Sequence, residues 1–174
     1  MTSLAHPSIS KLAAALREAG LTAAADGIRI LDDEVRTAAL AAAALGIEVG
    51  AIANSLVFRG VRDGEPDRPL LALTSGAHRA DPGLLAELVG ADRVVKADPA
   101  FVREHTGQAI GGVAPVGHPL PVRTLVDVDL ARYPEIWAAA GHPKAVFPTT
   151  YVDLLSLTGG LPARVCGQEK DGGS

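Results

Sequence analysis

Aromatic residues are scarce in this 174-residue chain, which has three Phe, two Tyr and one Trp. Any surface on which nucleic-acid bases stack is therefore small. The formal net charge of −4 argues against a strongly basic nucleic-acid binder. The chain also lacks a helix-turn-helix pattern with a basic recognition helix, which argues against a DNA-binding protein. The single cysteine, Cys166, excludes an internal disulfide and fits a reducing compartment.

Long apolar runs are also lacking. The longest, residues 38–47, has ten residues and is too short to span a bilayer. The N-terminus lacks the basic and apolar segments of a secretory signal, so we expect a soluble, cytoplasmic protein without a membrane partner. With 48% hydrophobic and 21% charged residues, the chain has the composition of a globular protein. We expect residues 1–166 to form one domain and residues 167–174 to be a disordered tail.

Helix starts are marked by side chains that accept hydrogen bonds from the first free amides, and helix ends are marked by glycine. The predicted helices begin after Ser8 or Ser10, cover residues 35–45, and begin again after Asp81, Asp98 and Thr150. Runs of β-branched and large apolar residues predict strands at 27–31, 52–58, 70–74, 92–96, 122–128 and 145–147.

The charged segment 62–68, which contains Asp63-Gly64, predicts a hairpin and therefore an antiparallel pair of strands. Strands and helices alternate irregularly elsewhere. This pattern favours a mixed α/β domain, with helices around a mixed sheet, over a doubly wound parallel sheet.

The chain contains no phosphate-binding glycine loop, zinc-ligand spacing or nucleophile elbow. Among the histidines, His105 lies in the last turn of a predicted helix, where it complements the helix dipole. His118 and His142 each lie between a glycine and a proline, which predicts exposed turns, with a position in a cleft as the alternative. Ser55 lies on a predicted strand with no base nearby in sequence, which favours a hydrogen-bonding role over a nucleophilic one.

Four glycines, at positions 107, 111, 112 and 117, lie within eleven residues of a largely apolar segment. Glycine allows the main chain to approach a ligand closely. Glycine also bends a strand at a sheet corner, which needs no ligand. The residue pattern leaves both interpretations open.

Several motifs occur in the order found in a known family. They are Gly50-Ala-Ile-Ala-Asn-Ser-Leu-Val-Phe58, Val95-Lys-Ala-Asp-Pro99, Thr106-Gly107, Ile110-Gly-Gly-Val-Ala-Pro-Val-Gly117 and Gly141-His-Pro. From about residue 8 to residue 161 the chain resembles the YbaK/EbsC family, which includes the editing domain associated with prolyl-tRNA synthetase. The resemblance implies a mixed, barrel-like sheet surrounded by helices. It also implies a stand-alone, trans-acting deacylase of tRNA(Pro) mischarged with a small amino acid, with no metal or organic cofactor.

The resemblance also assigns roles to residues. Gly111 and Gly112 would hold the aminoacyl group, and Asn54 and Ser55 would hold the terminal adenosine. The remaining substrate-binding positions that it implies are Pro115, Gly117, Gly141 and His142. Asn54 stands where many members have a lysine, and Val146 stands where some have an acidic residue. Asparagine keeps hydrogen-bonding capacity but supplies no positive charge.

This chemistry needs no catalytic triad, because an aminoacyl ester is already activated and the neighbouring ribose hydroxyl can assist the attack of water. Orientation of the substrate supplies the catalysis. A pocket of small apolar residues sorts substrates by size, at about 1–3 kcal/mol per methylene. Arg59 and Lys144 are candidates for phosphate contact, and the expected partners are the tRNA acceptor end and an aminoacyl-tRNA synthetase. The missing lysine leaves an alternative: a catalytically silent module of the same fold that binds aminoacyl-tRNA or a small molecule.

Overall fold

The computed structural model describes residues 3–166 of the chain. Its helices are α1 (Pro7–Glu18), α2 (Thr22–Asp26), α3 (Ala38–Leu45), α4 (Pro82–Val89), α5 (Pro99–Thr106) and α6 (Tyr151–Thr158). Its strands are β1 (Arg29–Ile30), β2 (Ile52–Val61), β3 (Arg68–Ser75), β4 (Arg93–Lys96), β5 (Arg123–Asp127), β6 (Ile136–Ala139), β7 (Ala145–Thr149) and β8 (Leu161–Ala163). The predicted tail, residues 167–174, lies outside the described residues.

The strands form one mixed sheet with the order β1-β7-β6-β2-β3-β5-β8, and β4 also pairs with β2. The predicted hairpin is confirmed, since β2 and β3 pair antiparallel with Ser55 opposite Leu73. β3 and β5 pair in parallel, as do β5 and β8. Helices surround this sheet, so the predicted mixed α/β class is confirmed.

One edge of β2 is shared by two other strands. β6 pairs in parallel with Ile52 and Ala53 at the start of β2, and β4 pairs antiparallel with residues 58–61 at its end. Between these pairings, residues 54–56 have no partner strand on this edge. The sheet is therefore interrupted at the middle of its longest strand.

The core lies on both faces of the sheet, because alternate side chains of a strand point to opposite faces. On β3, Leu71 and Leu73 pack in a main cluster that includes the buried face of α1. Leu70 and Ala72 pack instead with Leu85 of α4 in a second cluster. Burial of each such leucine contributes about 1.5–3 kcal/mol, and this packing fixes the sheet around the interruption.

Two predicted helix starts are wrong by a few residues. α1 is capped by His6 rather than Ser8 or Ser10, because His6 Nδ1 accepts the Ser8 N–H at 3.2 Å. α3 begins at Ala38 rather than Val35, because the Thr37 hydroxyl accepts the Leu40 N–H at 3.2 Å. In both cases the side chain that reaches a free amide decides where the helix begins.

Candidate functional site

A cavity of about 510 Å³ opens at the interrupted edge of β2. Its walls include Asn54, Ser55 and Leu56 of β2, Lys96 at the end of β4, and Ala138 and Ala139 of β6. The volume is that of a typical small-ligand pocket. The gap between β6 and β4 is thus the opening of a binding-sized cavity.

Small apolar side chains line part of this cavity. Ala53, Val113, Ala138 and Ala145 line it and are each at most 2% exposed. Ser55 also lines the cavity, and its hydroxyl is buried without a hydrogen-bond partner. Such a surface accommodates a small group next to one buried, unpaired hydroxyl.

Positive charge is concentrated in the cavity lining. Arg36, Arg79 and Lys96 line it, and the lining contains no carboxylate. Arg36 is held by Glu34 at 2.9 Å and donates to the Ile110 carbonyl at 3.2 Å. The hydrogen bond and charge of Arg36 lower the pKa of the Glu34 carboxyl, and Glu34 in turn raises the pKa of Arg36. The electrostatics of this lining favour an anionic group.

The predicted glycines perform different tasks in the segment between α5 and β5. Gly111 has a φ of +94° and lines the cavity. Gly112 does not line it, and a Cβ there would overlap the main chain at His142 and Pro143. The two glycines therefore let this irregular segment turn and pack directly against the 141–143 turn, and the bent-strand interpretation does not apply.

His142 lies in the cavity wall and is half-buried rather than exposed. Its Nδ1 accepts the Lys144 N–H at 3.0 Å, and its ring meets the edge of the His6 ring with centroids 4.9 Å apart. Burial, followed by the neighbouring His6, lowers the pKa of His142. A neutral ring that accepts at Nδ1 carries its proton on Nε2, so His142 is a hydrogen-bond donor at this site.

The cavity unites some of the predicted site residues and leaves others outside. Asn54, Ser55, Gly111 and His142 share its lining. Gly112, Pro115, Gly117 and Gly141 are not in the lining. Gly141 has a φ of +99°, and a Cβ there would lie 3.0 Å from Ser8.

The predicted phosphate contacts also lie outside the lining. Arg59 pairs with Asp67 at 3.3 Å and lies over the Phe101 ring at 4.4 Å, and Lys144 is not a lining residue. Sequence reasoning missed Arg36, Arg79 and Lys96. The motif Val95–Pro99 was the one signal for Lys96, but its place beside β2 depends on a long-range strand pairing.

One group of metal-ligating residue types lies elsewhere within residues 3–166. His78, Asp127 and Asp129 offer ligand atoms within 4.8 Å of one another. The two ring nitrogens of His78 each lie 3.0 Å from one of the carboxylates, and Asp127 also accepts the Ser75 N–H at 3.0 Å. The group is therefore a hydrogen-bonded bridge between the ends of β3 and β5.

Comparison with known families identifies the fold. The family model described as an aminoacyl-tRNA editing domain matches residues 32–157. The chain belongs to this family. The editing domain is 30% identical to the uncharacterized protein YwhH of Bacillus subtilis (strain 168) over 118 residues, which are 68% of this chain and 72% of YwhH.

Two solved structures are similar to this editing domain over most of its length. One is the crystal structure of a candidate trans-editing enzyme for prolyl tRNA synthetase, at 42% identity and a TM-score of 0.82, covering 94% of this chain and 99% of that one. The other is hypothetical protein APE2540, at 27% identity and a TM-score of 0.77, covering 89% of this chain and 98% of that one.

Family membership supports an aminoacyl-tRNA editing role, and with it deacylase chemistry and interaction with tRNA and a synthetase in general. Among the described residues of the editing domain, no helix has both the length and the apolar character that a bilayer span requires.

Proposed function

We propose that this editing domain is a stand-alone, trans-acting deacylase that hydrolyses the ester of a tRNA(Pro)-type tRNA mischarged with a small amino acid. The observation that carries the proposal is the cavity itself, whose lining contains small buried residues, Gly111 and three cations. The 42% identity with a candidate trans-editing enzyme for prolyl tRNA synthetase supports the tRNA(Pro) assignment. In this proposal residues 1–166 act as one cytoplasmic domain.

The predicted site residues take the following roles in this proposal. The main chain at Gly111 orients the aminoacyl ester, and Gly112 holds this segment against the 141–143 turn. Asn54 contacts the terminal adenosine, and Ser55 contacts the end of it that carries the ester. Gly141 and His142 form the rim, while Pro115 and Gly117 maintain the shape of the glycine segment. Size exclusion by Ala53 and its neighbours limits the amino acid to a small side chain.

Hydrolysis then proceeds by positioning. Water, assisted by the free ribose hydroxyl of the terminal nucleotide, adds to the ester carbonyl carbon. The bond from that carbon to the ribose oxygen breaks, the ribose oxygen takes a proton, and the free amino acid leaves. His142 Nε2–H and nearby main-chain amides stabilise the developing negative charge on the carbonyl oxygen.

The tRNA phosphates contact Arg36, Arg79 and Lys96 in this proposal. These cations surround the cavity, whereas Asn54 at the expected lysine position carries no charge. Because the chain has a net charge of −4, we expect modest tRNA affinity that a synthetase partner increases.

The test is deacylation of tRNA(Pro) charged with Ala, Cys, Ser or, as the control, Pro, by the wild type and Asn54→Lys. Hydrolysis of a small-residue tRNA by the wild type, with Pro-tRNA(Pro) intact, supports the proposal. Activity in Asn54→Lys alone supports the alternative, a silent binding module of the same fold. Inactivity of both proteins on every tRNA contradicts the deacylase proposal.

A further inference from the structure

The main chain of Ser55 faces the cavity through the interrupted edge of β2. On the opposite edge, Gly76 N–H donates to the Ile52 carbonyl at 2.8 Å in the ladder with β3. The N–H and C=O of a strand residue point to one edge, and successive residues alternate between edges. Ser55 therefore points both groups away from β3.

The pairing on either side of Ser55 confirms this direction. Ala53 pairs with Ala138 of β6 on the same edge, and Ala97 N–H donates to the Val57 carbonyl at 3.4 Å beyond β4. Within residues 3–166, the strand pairings leave Ser55 without a partner on this edge. Its hydroxyl is also buried and unpaired. Unpaired buried polar groups are costly and rare, so their concentration on one cavity residue points to a ligand.

We propose that the aminoacyl group of the substrate binds as a one-residue β-strand against Ser55. This inference rests on the proposed function and specifies how its substrate is held. An aminoacyl group carries an amine donor and a carbonyl acceptor on the same residue, as Ser55 does. The ammonium donates to the Ser55 carbonyl, and the ester carbonyl accepts the Ser55 N–H.

This pairing also sets the direction of the amino-acid side chain. Residues directly opposite each other in a sheet have their side chains on the same face. The Ser55 side chain lies on the face that carries Ala53 and Val57, both in the main core cluster. The substrate side chain therefore stands beside the Ser55 hydroxyl and near Ala53 and Ala138, where only a small group fits.

Replacement of single backbone amides by esters tests the pairing in the full-length protein. Glyceric acid at position 55 removes the Ser55 N–H and keeps its side chain. Phenyllactic acid at position 58 is the matched control, because the Phe58 N–H points to β3, where Phe58 pairs with Leu70.

We expect the position 55 ester to melt closer to the wild type than the position 58 ester, because it loses no ladder donor and only weakens the Asn54 carbonyl as an acceptor. It should lose about 100-fold in kcat, the effect of removing one donor to a developing oxyanion. The position 58 ester is expected to melt at a lower temperature with unchanged kcat. A position 55 ester that melts as low as the position 58 ester, or that keeps the wild-type kcat, overturns the proposal.

Substrate analogues test the same pairing from the other side. Propionyl-tRNA lacks the amine of alanyl-tRNA, and D-alanyl-tRNA directs its methyl group to the opposite face when both hydrogen bonds are kept. We expect both to be hydrolysed at least about 10-fold more slowly than L-alanyl-tRNA. Propionyl-tRNA loses the hydrogen bond to the Ser55 carbonyl, and D-alanyl-tRNA loses the packing of its methyl group. Equal rates for all three overturn the proposal.

A failure of the proposed function is distinguishable from a failure of this inference. If the wild type hydrolyses no aminoacyl-tRNA, the probe is the non-hydrolysable 3′-alanylamino-3′-deoxyadenosine. Its binding is followed through the Ser55 amide in ¹H–¹⁵N spectra. A downfield shift of that amide supports the pairing without hydrolysis, and an unchanged amide at saturation overturns it.

Discussion

At the scale of single residues, His142 connects protonation with the shape of the site. Its neutral form accepts the Lys144 N–H at Nδ1 and carries its proton on Nε2. Protonation replaces that acceptor by a donor and breaks the bond to Lys144. The pKa of His142 is lowered, so the unfolded chain binds this proton at a higher pH than the folded protein does. The stability that neutral His142 contributes, and its hydrogen bond from Lys144, are therefore fully present above the ordinary histidine pKa of 6.5. Both are lost as the pH falls from there through the lowered pKa of His142.

The first prediction concerns the pH profile of deacylation. We expect kcat/KM of the wild type to decline on the acid side of the ordinary histidine range. His142→Asn keeps an oxygen that can accept the Lys144 N–H but has no titrating ring, so it should reduce kcat/KM and flatten the decline. The measurement is kcat/KM from pH 4.5 to pH 8.

His118→Gln is the control, because burial also lowers the pKa of His118. If the acid decline persists in His142→Asn and disappears in His118→Gln, the titrating group has been misassigned.

The second prediction concerns the contact between Gly112 and the 141–143 turn. Gly112→Ala puts a methyl group into the main chain of His142 and Pro143, so the two segments must separate. We expect at least about a 100-fold loss of kcat, the effect of a displacement of roughly 1 Å at a site. Gly64→Ala is the control in the hairpin, where φ is +79° and no atom lies within 4 Å.

The control variant is expected to lose about 1–2 kcal/mol of stability through its left-handed backbone and to keep full kcat. Stability is measured by urea unfolding. Full kcat in Gly112→Ala would remove this contact from the site's requirements.

At the scale of elements, residues 107–122 form a 16-residue connection without helix or strand. Connections of this length inside a compact domain are uncommon and are usually functional. The buried residue Ala114 is held through both of its main-chain groups by side chains of the same segment. Gln108 Oε1 accepts the Ala114 N–H at 2.7 Å, and His118 Nε2 donates to the Ala114 carbonyl at 2.8 Å. The shape of the glycine segment therefore depends on two local side chains.

The third prediction follows from this arrangement. Gln108→Met has a similar volume but no acceptor, so it leaves the buried Ala114 N–H unpaired at a cost of about 1–3 kcal/mol. We expect faster hydrogen exchange of peptides covering 108–118 and a lower kcat, with KM little changed. Gln108→Glu keeps the acceptor oxygen and should retain the slow exchange of this segment. Exchange in Gln108→Met that equals the wild type would contradict the prediction.

The comparison of sequence and structure separates local from long-range causes. The caps at Asp81 and Asp98 were predictable, because each depends on contacts within three residues. β6 and β8 were not predicted, since both are short and the alanines of β6 and the proline of β8 disfavour strands. They become strands through pairing with β7 and β5. The same limit applies to the site. The glycine segment and His142 have a sequence signal, whereas Lys96 reaches the cavity through the β2–β4 pairing.

At the scale of the whole molecule, a net charge of −4 coexists with a cavity whose lining contains three cations and no carboxylate. Such focusing steers an anionic ligand to one place while the remaining surface repels it. The magnitude of the salt dependence of binding then reports how many phosphates these cations contact.

The fourth prediction is that Arg79→Gln and Lys96→Gln each weaken tRNA binding and each reduce the slope of log Kd against log salt by about 0.7, the value for one single-strand phosphate contact. Arg62→Gln is the control, because Arg62 is exposed at the β2–β3 hairpin and outside the cavity lining. Binding is measured by fluorescence anisotropy at several salt concentrations. Equal slopes in all three variants would exclude these contacts.

The arrangement of strands around β2 also sets the order in which the cavity forms during translation. β2, β3 and β4 are complete by residue 96, but β6 begins only at residue 136. A nascent chain can therefore form the hairpin and β4 before the other wall of the cavity has left the ribosome, since domains assemble from the N-terminus during translation. Until about four-fifths of the chain exists, the β2 edge is open and no enclosed pocket is present. The cavity is therefore one of the last parts of the domain to form. We expect a chain that ends before β6 to lack one wall of the cavity and to bind no aminoacyl-tRNA there.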